Sequence, residues 1–405
     1  MSERELALFG ARPAFEEPLF VGRPNMGDRE RFLARMGDIL DRRWFTNDGK
    51  YVQELEAALA AFLGVRHCVT VCNATVGLEL AARALGLSGE VIVPSFTFVA
   101  TAHALQWQQI TPVFCDVDPA THNLDPRRVE ESITPRTTGI VGVHVWGRPC
   151  AIDALGEIAR RRGLKLLFDA AHALGNTWRG RRIGGFGDAE VFSFHATKFV
   201  NSFEGGAITT DDDDLAKRLR LMRNFGFAGY DNVVYVGTNG KMSEPSAAMG
   251  LTSLESLPAI VEVNRRNHEA YRQGLGGLRG LRVAEYDPAE SNNYQYVVAE
   301  LDAEEAGLSR DDLLEVLHAE NVLARRYFHP GCHRMEPYRS YFPHARLLLP
   351  ETERLTERVL SFPNGTAVAP AQIATICEVV RAALARGGEV SSLLAARRRA
   401  RAVQP

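Results

Sequence analysis

One lysine of this sequence stands where an amine can do chemistry. Val191-Phe-Ser-Phe-His-Ala-Thr-Lys198 reads as a strand running into a polar turn, and Phe199-Val-Asn-Ser-Phe-Glu-Gly-Gly206 returns the chain toward another strand. That order puts Lys198 at the carboxyl edge of a sheet, where open α/β folds bind ligands. Upstream, Leu166-Leu-Phe-Asp-Ala-Ala-His172 ends an apolar strand in a carboxylate, Asp169, with an imidazole three positions on. Taken alone, Asp169 reads equally well as a helix cap, and His172 as a hydrogen-bonded structural histidine. Further upstream the strand His67–Val71 leads into Cys72-Asn-Ala-Thr-Val-Gly77 and a helical run. Such a helix start is an anion site suited to a phosphate, although Asn and Thr are also common caps. No G-x-G-x-x-G follows the first strand and no G-x-x-x-x-G-K-[ST] occurs, which argues against a dinucleotide or P-loop site.

The elements that must position these groups alternate. Strands are expected at His67–Val71, Glu90–Val93, Pro112–Cys115, Gly139–Val143, Lys165–Phe168, Val191–Phe194 and Gly206–Thr210, with helical patterns at Val76–Leu85, Val99–Trp107 and Ile152–Arg162 between them. Repeated βαβ units of this kind predict a mainly parallel sheet in a three-layer αβα domain. Asp211–Asn224 reads as a helix with an acidic start and a basic end, matching its dipole. Phe225–Lys241, rich in Gly, Asn and Tyr, reads as a long irregular loop of the kind that carries function. Ser246–Leu275 is again helical. We expect an N-terminal extension (1–20), a large domain (21–255), a smaller C-terminal α/β domain (256–385) and an Arg-rich, poorly ordered tail (386–405).

At 405 residues, 45% apolar and 24% charged, the chain has the balance of a globular protein of about two to three domains. Its formal net charge of −3 gives no electrostatic reason to seek nucleic acid or an anionic membrane. Pro94, Ser95, Thr97, Thr101 and His103 interrupt the most apolar stretch, so no membrane segment is expected. An acidic N-terminus without an apolar run points to the cytoplasm. Six scattered cysteines read as reduced, mostly buried thiols, with no metal site.

Six motifs in order carry a resemblance: Thr46-Asn-Asp-Gly-Lys-Tyr-Val, Val93-Pro-Ser-Phe-Thr-Phe-Val-Ala-Thr101, Asp169-Ala-Ala-His172, Ser193-Phe-His-Ala-Thr-Lys198, Glu204-Gly-Gly206 and Gly237-Thr-Asn-Gly-Lys-Met-Ser-Glu244. From about Phe20 to Ala385 the chain resembles the DegT/DnrJ/EryC1/StrS family of sugar aminotransferases, enzymes of fold type I that use pyridoxal 5'-phosphate (PLP). The resemblance implies that Lys198 carries PLP covalently and then serves as the base that moves a proton. It implies that Asp169 pairs with the pyridine nitrogen, keeping it protonated and electron-withdrawing. His172 would lie near the ring hydroxyl and Phe98 would stack on the ring. Ala74, Thr75 and Ser193 would hold the phosphate, joined by Asn239 from a neighbouring subunit, so at least a homodimer is implied.

The same resemblance places Trp44, His333 and Tyr338 toward the sugar. Gly331, Cys332, Gly240 and Lys241 depart from the family pattern there, which affects the sugar and nucleotide contacts rather than the cofactor site. The implied reaction moves the amino group of L-glutamate to a keto carbon of a nucleotide-linked deoxysugar, with C4 of dTDP-4-keto-6-deoxyglucose favoured over C3. A PLP-dependent sugar dehydratase of the family has histidine at the lysine position, and Lys198 argues against that reading. A PLP-binding regulator normally appends a DNA-binding module, for which residues 1–20 have no room.

Overall fold

The computed structural model describes residues 4–402. Seven strands form the main sheet: β1 (His67–Val71), β2 (Glu90–Pro94), β3 (Thr111–Cys115), β4 (Thr137–Val143), β5 (Lys165–Asp169), β6 (Ala189–Ser193) and β7 (Gly206–Thr210). Their spatial order is β1-β7-β6-β5-β4-β2-β3, parallel except for β7, which runs antiparallel to both of its neighbours. Because β7 is reversed, its first residue, Gly206, lies at the edge where β1, β5 and β6 end, opposite Val71 and Ser193.

Helices α1 (Lys50–Leu63), α2 (Ala74–Ala84), α3 (Ala100–Gln106), α4 (Glu244–Glu255) and α5 (Leu257–Leu275) accompany this sheet, and each of its faces is covered by an apolar cluster. One cluster gathers Leu55 and Leu59 of α1 with Phe168 and Phe192, and the other gathers Leu78 and Ala81 of α2 with Val91 and Val191. Gly77 permits this second contact to be close, since a Cβ there would lie 2.9 Å from Val191 Cγ1.

A smaller unit follows, built on the antiparallel strands β8 (Leu281–Val283), β9 (Val297–Leu301) and β10 (Val359–Phe362), with helix α6 (Pro370–Ala385) packed on α5. The expected single helix over Ser246–Leu275 is two, broken at Ser256, where α5 restarts with Pro258 in its first turn.

The expected disordered tail is corrected. Gly387–Ala402 is a helix, α7, whose Val390 and Leu394 enter the small unit's core while Arg398 pairs with Asp312 at 2.6 Å. Leu6 and Leu8 of the N-terminal segment join the same core. The ends of both expected terminal segments, residues 1–3 and 403–405, lie outside the described residues. All six cysteines are free, and five of them are buried. Among the described residues no helix is long and apolar enough to cross a membrane, and no cluster of metal-ligating side chains occurs.

Candidate active site

Four strand ends converge on one point. Asp169 closes β5 and is buried; one carboxylate oxygen accepts from the Thr101 hydroxyl at 2.9 Å and the other from the Ala171 amide at 3.1 Å. Burial pushes this carboxyl up, while those two donors and the Lys198 ammonium oppose the shift.

Lys198 sits half-buried in the turn after β6, held by its own amide to the His195 carbonyl at 2.8 Å. Burial lowers its amine to about 8, against the raising effect of Asp169. About a tenth of it is therefore unprotonated at pH 7, far more than for an ordinary lysine, as suits a nucleophile or base.

His172 lies buried between aromatic rings, nearly parallel to Trp146 and Phe328 and 4.7 Å from Tyr296. Burial, reinforced by the Lys198 charge, holds its imidazole well below the usual range, so it is neutral. Its Nδ1 is buried and has no hydrogen-bond partner among the described residues. A buried polar atom of this kind needs a partner, and a ring hydroxyl supplies one.

Across Gly206 stands the N-terminus of α2. The Asn73 side chain caps it by accepting from the Val76 amide at 2.9 Å, and the amides of Ala74 and Thr75 precede that bond in the first turn. A Cβ on Gly206 would lie 2.9 Å from the Ala74 nitrogen and 2.7 Å from the Phe192 carbonyl oxygen. Glycine is thus what lets the helix start approach the strand end carrying Ser193, whose hydroxyl accepts from the His195 amide at 3.4 Å. Two outward amides, a hydroxyl and a helix dipole form an anion cradle. Amine, carboxylate, unpartnered imidazole nitrogen and phosphate cradle together fit PLP.

Phe98 follows β2 on an exposed loop, and its carbonyl accepts from Thr101, the residue that touches Asp169. Its side chain lines a cavity of about 300 Å³ with Arg325, Arg326, Tyr327, Phe328 and Met335. Asn239 is exposed at the base of the irregular loop and bridges to Asn224, and the next carbonyl, of Gly240, accepts from the Cys72 amide at 2.8 Å. Trp44 is half exposed and flanks Gly49 opposite Glu244.

Two expected sugar-facing residues are corrected. Tyr338 is fully buried, its hydroxyl 2.7 Å from His103 Nδ1 and its ring edge-on to Phe114 in the core. His333 is 3% exposed, with Nδ1 on the Ser95 hydroxyl at 2.7 Å and Nε2 on Glu353 at 2.5 Å. Neither has a free polar atom to offer. Residues to which the sequence reading gave no site role also enter the site: Thr101, Trp146, Tyr296 and Phe328. Only Thr101 carried a signal, as a hydroxyl one helical turn beyond Phe98.

The family described as the DegT/DnrJ/EryC1/StrS aminotransferase family matches residues 27–381. The chain is 40% identical over 317 residues to a dTDP-4-amino-4,6-dideoxy-D-glucose transaminase of Shigella dysenteriae, a match covering 78% of this chain and 86% of that one. It is 35% identical to the Escherichia coli protein of the same name, over 85% of this chain and 93% of that one. Among solved structures, DesI in the presence of its TDP-sugar product superposes with a TM-score of 0.92 at 54% identity, covering 97% of this chain and 99% of that one.

Proposed function

The chain belongs to the DegT/DnrJ/EryC1/StrS aminotransferase family of PLP-dependent sugar transaminases, and from that premise we propose that it transfers the amino group of L-glutamate to C4 of dTDP-4-keto-6-deoxyglucose. One observation carries the site assignment: the lowered amine of Lys198, the Asp169 carboxylate and the unpartnered His172 Nδ1 meet at a sheet edge whose neighbouring helix start forms an anion cradle.

Bound there, PLP supplies an electron-withdrawing ring that stabilises negative charge on the substrate carbon losing its proton. The chain's residues do the rest. Lys198 would hold the cofactor covalently and, once free, would accept and return a proton at Nζ. Asp169 would pair with the ring nitrogen and keep a proton on it. His172 Nδ1 would take the ring hydroxyl, while the amides of Ala74 and Thr75 and the Ser193 hydroxyl would hold the phosphate. Phe98 would cover the ring. Beyond it, the cavity is lined by Arg325, and by Arg326, which also pairs with Asp311 at 3.3 Å; this positive wall supports a site for the diphosphate of the sugar nucleotide.

The loop over Phe225–Lys241 exposes Phe225, Phe227, Val233, Val234 and Val236, a patch that supports a homodimer in which the partner's Asn239 completes the phosphate site. Six free cysteines support a reducing, cytoplasmic setting.

The test is mass spectrometry and NMR of the product formed from dTDP-4-keto-6-deoxyglucose or its 3-keto isomer with saturating glutamate. We expect a 4-amino sugar and a higher kcat/KM for the 4-keto substrate. Lys198→Ala should lose both turnover and the visible absorption of the bound cofactor. A preference for the 3-keto isomer overturns the C4 assignment, and an active Lys198→Ala enzyme overturns the site.

A further inference from the structure

Every residue proposed above to hold the cofactor within one chain comes from the large unit, yet Lys198 also meets a group from the small one. Tyr296 immediately precedes β9, and its hydroxyl lies 3.5 Å from Lys198 Nζ. The ring stands 4.7 Å from His172 and edge-on to Trp146 and Tyr327, at 5.5 and 6.1 Å.

Its backbone is pinned on both sides. The Tyr286 hydroxyl stands 2.9 Å from the Tyr296 carbonyl and 3.1 Å from the Trp146 carbonyl, which share its one proton. Asn364 donates to the Gln295 carbonyl at 3.1 Å, and the Gln295 side-chain amide reaches the Thr197 carbonyl at 3.4 Å. These bonds tie Tyr296 to the lysine turn from one side and to the His172 box from the other. A hydroxyl fixed in this way is preorganised rather than drawn in by chance.

We propose that Tyr296 is a positioning residue for the transamination, its hydroxyl accepting from the Lys198 ammonium and aiming Nζ into the box formed by Asp169 and His172. The groups facing the lysine are Asp169 from β5, His172 from the turn that follows it, and Tyr296 from the small unit. Asp169 supplies the charge and the neutral His172 supplies none, so the hydroxyl is the neutral acceptor that fixes direction. Burial raises the Tyr296 phenol well above its ordinary range, so it stays protonated and is not itself the base. Because the hydroxyl comes from the small unit, the direction of Nζ depends on how that unit sits against the large one.

The inference rests on Lys198 being the cofactor lysine, and the experiment separates the two. In apoenzyme, competitive labelling of Lys198 with a small amine reagent is followed by mass spectrometry across pH. Wild type should titrate near 8. Tyr296→Phe keeps the ring in its aromatic contacts and removes only the acceptor. Its Lys198 midpoint should fall by about half a unit, a roughly threefold change in the ratio of free amine to ammonium. Loaded enzyme should lose roughly 3- to 10-fold in kcat with the glutamate KM unchanged, as expected of lost orientation rather than lost binding. An unshifted midpoint in a variant with wild-type circular dichroism overturns the role of Tyr296. If PLP fails to protect Lys198 of wild type from labelling, the cofactor assignment falls instead.

Discussion

Replacing Asp169 with asparagine separates chemistry from folding, because the local hydrogen bonds survive the change. The asparagine oxygen can accept from the Ala171 amide as the carboxylate does at 3.1 Å. Its NH₂ then faces the Thr101 hydroxyl, which accepts from it while donating to the Phe98 carbonyl, 3.1 Å away. The bond count is conserved and a buried charge is removed, so the fold should change by no more than about 1 kcal/mol in either direction, a few degrees in Tm. On the proposed pairing with the cofactor nitrogen, catalysis loses the charge that keeps that nitrogen protonated. Removing one preorganised electrostatic partner of a developing charge costs about 3–4 kcal/mol, or roughly 10²- to 10³-fold in rate. The Lys198 amine should also fall further, since Asp169 is the charge that raises it. Stopped-flow absorbance of the loaded variant mixed with L-glutamate measures the half-reaction directly, and a thermal melt runs beside it. A half-reaction within threefold of wild type would refute the pairing. Slow chemistry accompanied by a Tm lower by 10 °C or more would make Asp169 a structural residue.

Two further outcomes follow from the same geometry. Gly206→Ala would drive a methyl group against the Ala74 nitrogen and the Phe192 carbonyl, so α2 must withdraw from the cradle; reconstitution of apoenzyme should show PLP affinity weakened at least tenfold. Lys198 titrates lower in the folded apoprotein, about 8, than in the unfolded chain, about 10.4, so between those pH values the unfolded state binds more protons. Apoenzyme stability should therefore rise relative to Lys198→Met as pH climbs through that window, with the variant's advantage greatest below pH 8; parallel denaturant titrations check it, and a constant difference would refute it.

What was legible in the sequence were groups fixed by strand ends. His67–Val71 and Gly206–Thr210 are strands at their expected bounds, since each run is bordered by residues that stop it. Asp169, Ser193 and Lys198 were expected from the rule that functional groups follow the carboxyl ends of strands, and all three lie at or just past such ends. The strand holding Ser193 starts earlier than expected, at Ala189, because Glu190 is fully buried and accepts from the amides of Gly184 and Phe186. A charge satisfied by distant backbone looks in sequence like the end of a strand. Tyr296 was invisible for a related reason: it meets Lys198 across 98 residues of chain and belongs to no motif. The ordered tail was hidden because Val390 and Leu394 sit among charged and small residues, and their burial depends on a core assembled from residues far away in sequence.

His333 and Tyr338 lie in a segment beside the cavity while their own side chains are engaged in buried hydrogen bonds. Tyr327, Phe328 and Met335 of this segment line the cavity together with Phe98. Within it, His333 bridges Ser95, just past the end of β2, to Glu353, which Arg334 also pairs. Tyr338 bonds to His103 on α3, the helix that also carries Thr101. Both polar rings are therefore engaged by the elements bearing Phe98 and Thr101 and lock the cavity's far wall to them. Breaking either bond would leave a buried polar group unpaired, a cost of about 1–3 kcal/mol that opposes drift of the wall. Holding the two walls of the cavity at a fixed distance is a role His333 and Tyr338 fill through these bonds, without any contact to the sugar.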